Sequence, residues 1–281
     1  MRKRSLIGLA ALAALGATFG SAWITSALAF DESKYPDLKG QWQRTEAPRW
    51  GKPSEAPLTP EYRAIFEANL KEQAQGGQGT DPTFTCLAPG MPRVMNVYEP
   101  MEIVVTPSTT HLLMQHIHDS RRIFTDGRGW PEDRGLELEP TFAGYSIGQW
   151  VDEDGDGRYD TLLVETRHIK GPRSYDSSGL PFHHDNQTVV KEHIHFDKAD
   201  ANTLVDEITV IDQALTRPWT ITKKYVRSKE KNPLWRESVC AENNRHVVVG
   251  KENYFLSADG LLMPVRKDQP PPDLRYFNAQ K

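Results

Sequence analysis

From Met101 onward the chain is a succession of short β-branched runs separated by turn residues, and this pattern restricts the fold more than any other feature. The runs are MEIVVT, HLLMQHIH, RRIFTD, YSIGQWV, TLLVETRHI, TVVKEHIHF, TLVDEITVI, WTITKKYV, HVVVG and NYFLS. Each has strand length, and apolar residues at helical spacing are absent. About nine or ten strands joined by hairpin-length turns predict an all-β fold, either an antiparallel β-barrel or a barrel-like sandwich.

The segment over residues 30–80 reads as an N-terminal extension with one helix. Thr59 suits the N-cap and Pro60 the first helical position, and the helix is expected to end before Gly76. Its predicted apolar face consists of Tyr62, Ile65, Phe66 and Leu70.

The first 29 residues match a secretory signal peptide. Cations at residues 2–4 precede an apolar run, and Ala27-Leu28-Ala29 forms the small-x-small pattern that signal peptidase cleaves. A permanent membrane anchor is the alternative, but polar residues interrupt the apolar run, whereas a span needs about 20 apolar residues. We therefore predict a periplasmic or secreted protein with no membrane span in the mature chain.

The mature chain is predicted to continue from this extension into one β domain over residues 81–265 and a Pro-rich tail over residues 266–281. Without the three cations of the first 29 residues, the formal charge falls from −4 to −7. This balance argues against a nucleic-acid partner, because phosphate binding needs a cationic face. The oligomeric state stays open.

The chain has two cysteines, Cys86 and Cys240. In an oxidising compartment they are expected to form a disulfide that joins the beginning of the β region to its end. Two free thiols or one reactive nucleophile are the alternatives.

Two resemblances extend this interpretation. Between about residues 81 and 250, the motifs CLAPG, TDGR, GYSIGQW, TLLVET, TRPW and CAENN resemble those of a widespread group of exported bacterial proteins of undefined activity. That resemblance implies a shared fold and the pairing of the cysteines. Gly40-Gln41-Trp42 resembles the opening of lipocalins and other calycin barrels, which hold small apolar ligands, although the helical insertion that follows departs from their pattern.

The strand TVVKEHIHF carries the sharpest chemical signal. Alternation puts Glu192 on the same face as Val190 and Ile194, whereas His193 and His195 share the opposite face. A buried carboxylate needs a partner or a proton, and a protonated carboxyl group can act as a general acid or base. The alternative is a buried ion pair with one of three cations, Arg122, Arg128 or Lys223.

These features predict an internal pocket for a small apolar or aromatic molecule. If the barrel is an enzyme, they predict cofactor-independent acid–base chemistry of the lyase, isomerase or hydratase type, and a pure binder is the alternative. Glu192 would move the proton, Arg128 would hold developing negative charge, and His184 and Asp126 would complete the catalytic set. Asp126 and Arg128 also read as a simple tight turn. The predicted ligand-binding residues are His116, His118, Trp150 and Trp219.

Two metal sites are alternatives that the predicted reaction does not require. Asp152, Asp154, Asp156 and Asp160 resemble a calcium loop, but Leu163 stands where that loop needs a bidentate Glu, so a solvated acidic turn competes. Zinc or copper would favour His116, His118 and His184 over His193 and His195, which lie beside Lys191 on the expected solvent face. A metalloenzyme and a structural envelope protein remain the alternative functions.

Gly144-x-Ser146-x-Gly148 matches the nucleophile elbow of α/β-hydrolases. The next residues continue a strand, however, and an elbow needs a helix there. Small residues that allow close packing are the favoured explanation.

Overall fold

A computed structural model of the chain describes residues 30–77, 79–96, 100–115, 120–236, 240, 246–249, 252–256 and 262–263. The predicted signal peptide (residues 1–29), the tail (residues 266–281), His116 and His118 lie outside the described residues. Within the described residues, no helix combines the length and the apolar character that a membrane crossing requires.

The predicted all-β fold is confirmed, and it is a closed barrel of nine strands in sequential order. The strands are β1 (Gln41–Arg44), β2 (Met101–Val105), β3 (Thr109–Met114), β4 (Arg121–Phe124), β5 (Tyr145–Val151), β6 (Thr161–Arg167), β7 (Val189–Asp197), β8 (Asp200–Ile211) and β9 (Trp219–Arg227). The ring closes through β1, which pairs with both β2 and β9. The N-terminal extension therefore supplies one strand of the barrel.

One neighbouring pair departs from the antiparallel pattern, because β4 and β5 are parallel. Parallel neighbours need a crossover between them, which residues 125–144 provide. The runs HVVVG and NYFLS form strands outside the barrel. A separate three-stranded antiparallel sheet consists of β10 (His246–Val249), β11 (Glu252–Leu256) and β12 (Leu262–Met263).

Alternate residues of the strands fill the barrel, as the period of two requires. Buried side chains from around the ring include Trp42, Ile123, Leu162, Val190 and Ile208. β5 runs without interruption through Ser146 and Gly148, so the nucleophile elbow is not formed.

The predicted helix is present as α1 (Pro60–Ala74), capped by the Thr59 side chain. The predicted apolar face is only half right. Tyr62 and Phe66 are buried, but Ile65 and Leu70 are exposed. Asn69 is buried in their place because its amide nitrogen donates to the Ser178 carbonyl at 2.6 Å and its oxygen accepts from the Thr80 N–H at 2.6 Å.

Residues 31–39, here called the N-terminal strap, lie at one end of the barrel. The Lys34 carbonyl accepts a hydrogen bond from the Tyr159 N–H at 2.7 Å. The Leu38 carbonyl accepts one from the Trp42 indole N–H at 3.0 Å. Leu38 is buried, and the Tyr35 ring lies 5.5 Å from that of Trp150. The strap therefore covers the barrel end from which Trp150 reaches inward.

Cys86 and Cys240 form the expected disulfide, with Cα atoms 5.5 Å apart. The bond encloses the chain from β2 to β9, which is every barrel strand except β1.

Candidate functional site

A fully buried ion pair lies inside the barrel. The Glu192 carboxylate receives both terminal nitrogens of Arg121, with Nη1 to Oε1 at 2.7 Å and a second bond from Nη2 to Oε2. The side chains are 0% and 1% exposed. The predicted partners Arg122, Arg128 and Lys223 are wrong, because Arg121 shares the inward face of β4 with Ile123 and Arg122 faces outward.

Two hydroxyl groups orient the guanidinium of Arg121. Its Nη2 donates to the Thr166 hydroxyl at 3.1 Å, and the Ser146 and Thr166 hydroxyls are 2.8 Å apart. These contacts and the bidentate salt bridge to Glu192 fix the guanidinium of Arg121 within the barrel.

Asp206 lies beside this pair and has no hydrogen-bond partner among the residues that the structure describes. It faces inward on β8, opposite Ile194 of β7 and therefore diagonal to Glu192. In the described part of the chain, neither carboxyl oxygen has a hydrogen-bond partner. Burial raises the pKa of Asp206 well above its usual value, and the charge of Glu192 raises it further, although Arg121 opposes the shift.

The inward-facing polar groups of β9, Lys223 and Tyr225, donate to backbone carbonyls and not to Asp206. Lys223 donates to the Arg49 carbonyl at 2.5 Å, and burial lowers its pKa. The Tyr225 hydroxyl donates to the Met95 carbonyl at 2.5 Å. Asp206 is thus a buried carboxyl group with a raised pKa, next to a second carboxyl group, Glu192, that is paired with Arg121. Two neighbouring acids in such different environments are an arrangement that acid–base chemistry uses.

A small apolar cavity lies between this centre and the strap. It is lined by Leu38, Trp150 and inward residues of several strands, among them Ile103, Leu112, Leu162, Ile194 and Leu204. Its volume is about 10 Å³, close to what one water molecule occupies and far below a typical ligand pocket. In the described conformation, the side chains and the strap fill the space where a guest would lie.

The predicted aromatic anchors lie at opposite ends of the barrel. Trp150 donates its indole N–H to the Thr110 hydroxyl at 3.0 Å, beside the cavity. Trp219 is buried at the far end, with its ring 5.5 Å from that of Tyr175.

His184 lies outside the barrel interior. It is exposed in the loop before β7, with its Nδ1 atom 2.9 Å from the Tyr62 hydroxyl and its ring stacked on that of His183. The structure therefore does not bring His184 to Glu192.

Asp126 and Arg128 form an ion pair with each other in the turn after β4, with Nη2 and Oδ2 2.7 Å apart. The hydrogen bonds and charge of Arg128 lower the pKa of Asp126 to about 2. The tight-turn interpretation therefore fits Asp126 and Arg128. The cation paired with Glu192 is Arg121, not Arg128 as predicted.

The acidic turn is exposed, and its carboxylates accept backbone N–H groups of the turn itself. Asp152 accepts from Gly155 at 2.7 Å and Gly157 at 2.8 Å, and Asp160 accepts from Glu153 and Asp154 at 3.1 Å. These bonds fit the solvated acidic turn. Asp152, Asp154 and Asp156 also place one carboxylate oxygen each within 4.8 Å of one another, so the calcium site stays a prediction.

The outer face of the barrel carries a second polar cluster. His193 and His195 of β7 converge with Glu207 of β8. An open groove of about 920 Å³ passes over this face, with His193 and Glu207 in its lining. Cross-strand register thus supplies the His193–His195 pair with a carboxylate, whereas His116 and His118, which the sequence ranked higher, lie outside the described residues.

Sequence reasoning missed Arg121, Asp206 and Glu207. Alternation could have found the first two, since Arg121 lies two residues from Ile123 and Asp206 lies between Leu204 and Ile208 on one face. Glu207 needed the register of the β7–β8 hairpin, which shifts at Phe196 and Asp197 and which alternation along a single strand does not give.

Comparison with known proteins adds no family to this geometry. No protein-family model matches the chain, and no curated protein matches it significantly.

Proposed function

We propose that this is an exported protein that binds a small apolar or aromatic molecule inside its barrel and catalyses a cofactor-independent proton transfer on it, as a lyase, isomerase or hydratase. The observation that carries the proposal is Asp206, a fully buried carboxyl group with no hydrogen-bond partner among the described residues. Such a group destabilises the fold, and groups of this kind concentrate at functional sites.

Asp206 is the proton donor in this proposal, because both oxygens of Glu192 are occupied by Arg121. The proton passes from the Asp206 carboxyl group to the guest and returns when the product forms. Arg121 stabilises the Asp206 carboxylate in the interval. The apolar cavity beyond Ile194 and Leu204 gives the direction from which a guest approaches.

A guest can enter only if the N-terminal strap moves, since the cavity beneath the strap, at about 10 Å³, is too small to hold one. Many of the strap's contacts are hydrogen bonds to its backbone carbonyls, and Glu32, Ser33 and Lys34 are exposed. Export is supported by the disulfide, which oxidising compartments favour.

The test is fluorescence titration with N-phenyl-1-naphthylamine, a neutral aromatic probe. Replacing Leu112, a buried residue of the cavity lining, with Ala should strengthen probe binding by enlarging the space. Ile103→Trp should abolish binding, whereas Val104→Trp, the exposed neighbour on the same strand, should not. Equal binding by the Ile103 and Val104 variants would contradict an interior site.

Native mass spectrometry of the protein purified from its own cells then identifies the natural guest. With that guest, the Asp206→Asn variant should retain binding and lose turnover. Unchanged turnover would remove Asp206 from the reaction.

A further inference from the structure

The cluster on the outer face of the barrel has the composition of a metal site. His193 and Glu207 are direct partners across β7 and β8, and His195 lies two residues further along the same face. One ligand atom from each of the three residues lies within 4.8 Å of the other two. Imidazole nitrogens and a carboxylate are the donors that zinc prefers when cysteine is absent.

His195 is held in the tautomer that a metal ligand needs. Its Nδ1 atom lies 2.8 Å from the backbone carbonyl of Phe196. A carbonyl only accepts, so Nδ1 carries the proton and Nε2 keeps its lone pair. Metal-binding histidines are commonly fixed by a hydrogen bond of this kind from the second ring nitrogen.

His193 lies between two carboxylates, which one neutral ring cannot satisfy. Its Nδ1 atom is 3.2 Å from Glu207 Oε2, and its Nε2 atom is 3.1 Å from Glu153 Oε1. Neutral imidazole has one N–H, so one nitrogen lone pair faces a carboxylate oxygen. Either a second ring proton or a metal ion shared by that nitrogen and that oxygen removes the conflict, and titration with Zn²⁺ separates the two.

Two lysines near the cluster are engaged with other carboxylates. The Lys191 ammonium lies 3.4 Å from Glu165 Oε2, and that of Lys224 lies 3.0 Å from Asp197 Oδ2. The Glu207 and Glu153 carboxylates both contact His193.

We propose that His193, His195 and Glu207 bind a zinc ion on the outer face of the barrel. The Glu207 side chain is half exposed, and the cluster borders the open groove. The site therefore keeps one coordination position open to water or to a ligand in the groove, unless Glu153 fills it. This site is independent of the acid–base centre inside the barrel.

The test uses the full mature chain, freed of metal by dialysis against a chelator. Isothermal titration with Zn²⁺ should give one ion per chain, and Co²⁺ should produce the visible absorption of a tetrahedral nitrogen–oxygen site. His193→Ala, His195→Ala and Glu207→Gln should each weaken Zn²⁺ binding at least about tenfold. His111→Ala, which removes a histidine from β3, is the matched control and should bind as the wild type does.

Glu153→Gln distinguishes three protein ligands from four, because only a fourth ligand would change the Co²⁺ spectrum when replaced. The proposal is overturned if the wild type binds no Zn²⁺ at micromolar concentration. It is equally overturned if binding persists in His193→Ala and disappears in His116→Ala, which would place the ion elsewhere. Asp206→Asn should bind Zn²⁺ normally, so failure of this site and failure of the interior site give different results.

Discussion

Asp206 of β8 and Lys223 of β9 are direct cross-strand partners that both face the barrel interior, yet their charged groups do not pair. Lys223 donates to the Arg49 carbonyl, and in the described part of the chain the oxygens of Asp206 accept from no group. Burial moves the two pKa values in opposite directions, upward for Asp206 and downward for Lys223. Both shifts favour the neutral forms.

The raised pKa of Asp206 predicts how stability depends on pH. Below pH 3.8, the ordinary pKa of an aspartic acid, Asp206 is protonated in both the folded and the unfolded state. Above it the unfolded chain loses the proton and the folded chain keeps it, so the Asp206 contribution to the free energy of unfolding falls by up to about 1.4 kcal/mol per pH unit. The fall continues until the pH passes the folded-state pKa.

Asp206→Asn should therefore gain stability relative to the wild type as the pH rises from 4, measured by urea unfolding at several pH values. Infrared spectra at neutral pH should also lose a carboxylic C=O band in this variant. A stability difference that is constant with pH would show that Asp206 is ionised.

The Arg121–Glu192 pair should behave as one unit. Arg121→Met or Glu192→Leu alone leaves an unpaired buried charge and should cost about 3–5 kcal/mol. The double variant should cost far less than the sum of the two, because neither charge remains. Strictly additive losses in a double-mutant cycle would contradict the pairing.

Gly148 should tolerate no side chain. A Cβ atom there would lie 2.5 Å from Ile123 Cγ2 and 3.2 Å from Leu162 Cδ1. Gly148→Ala should therefore destabilise the barrel by about 1–3 kcal/mol in urea unfolding. Gly129→Ala is the control, since its nearest neighbour would be the Asp133 carboxylate at 3.8 Å. Equal effects at the two positions would show that the barrel interior can rearrange around Gly148.

Loss of the disulfide should lower stability without changing the strand order. Cys86 and Cys240 are 154 residues apart, and on the chain-entropy model a loop of this size contributes about 5 kcal/mol. The variant with Ser at both positions should show this loss in thermal and urea unfolding. A reductant should lower the stability of the wild type and leave that variant unchanged, which separates the bond from other effects of the reductant.

Local patterns predicted the elements of this fold well. The boundaries of α1 follow from Thr59, Pro60 and Gly76, and every predicted β-branched run contains a strand. Alternation also placed Glu192 inside, where its side chain is fully buried. The predicted burial of Ile65 and Leu70 was wrong. Helical spacing identifies a face of the helix, but which part of that face is covered depends on segments far away in the sequence.

The sequence by itself determined the strands, their inward faces, the helix caps and the two cysteines available for a disulfide. These follow from backbone geometry and solvent exposure over a few neighbouring residues. Only the tertiary structure decided that Arg121 meets Glu192 from 71 residues away, that Asp206 is left beside them, and that Glu207 joins His193. Strand register and barrel closure set these encounters, and both arise from the packing of the whole ring.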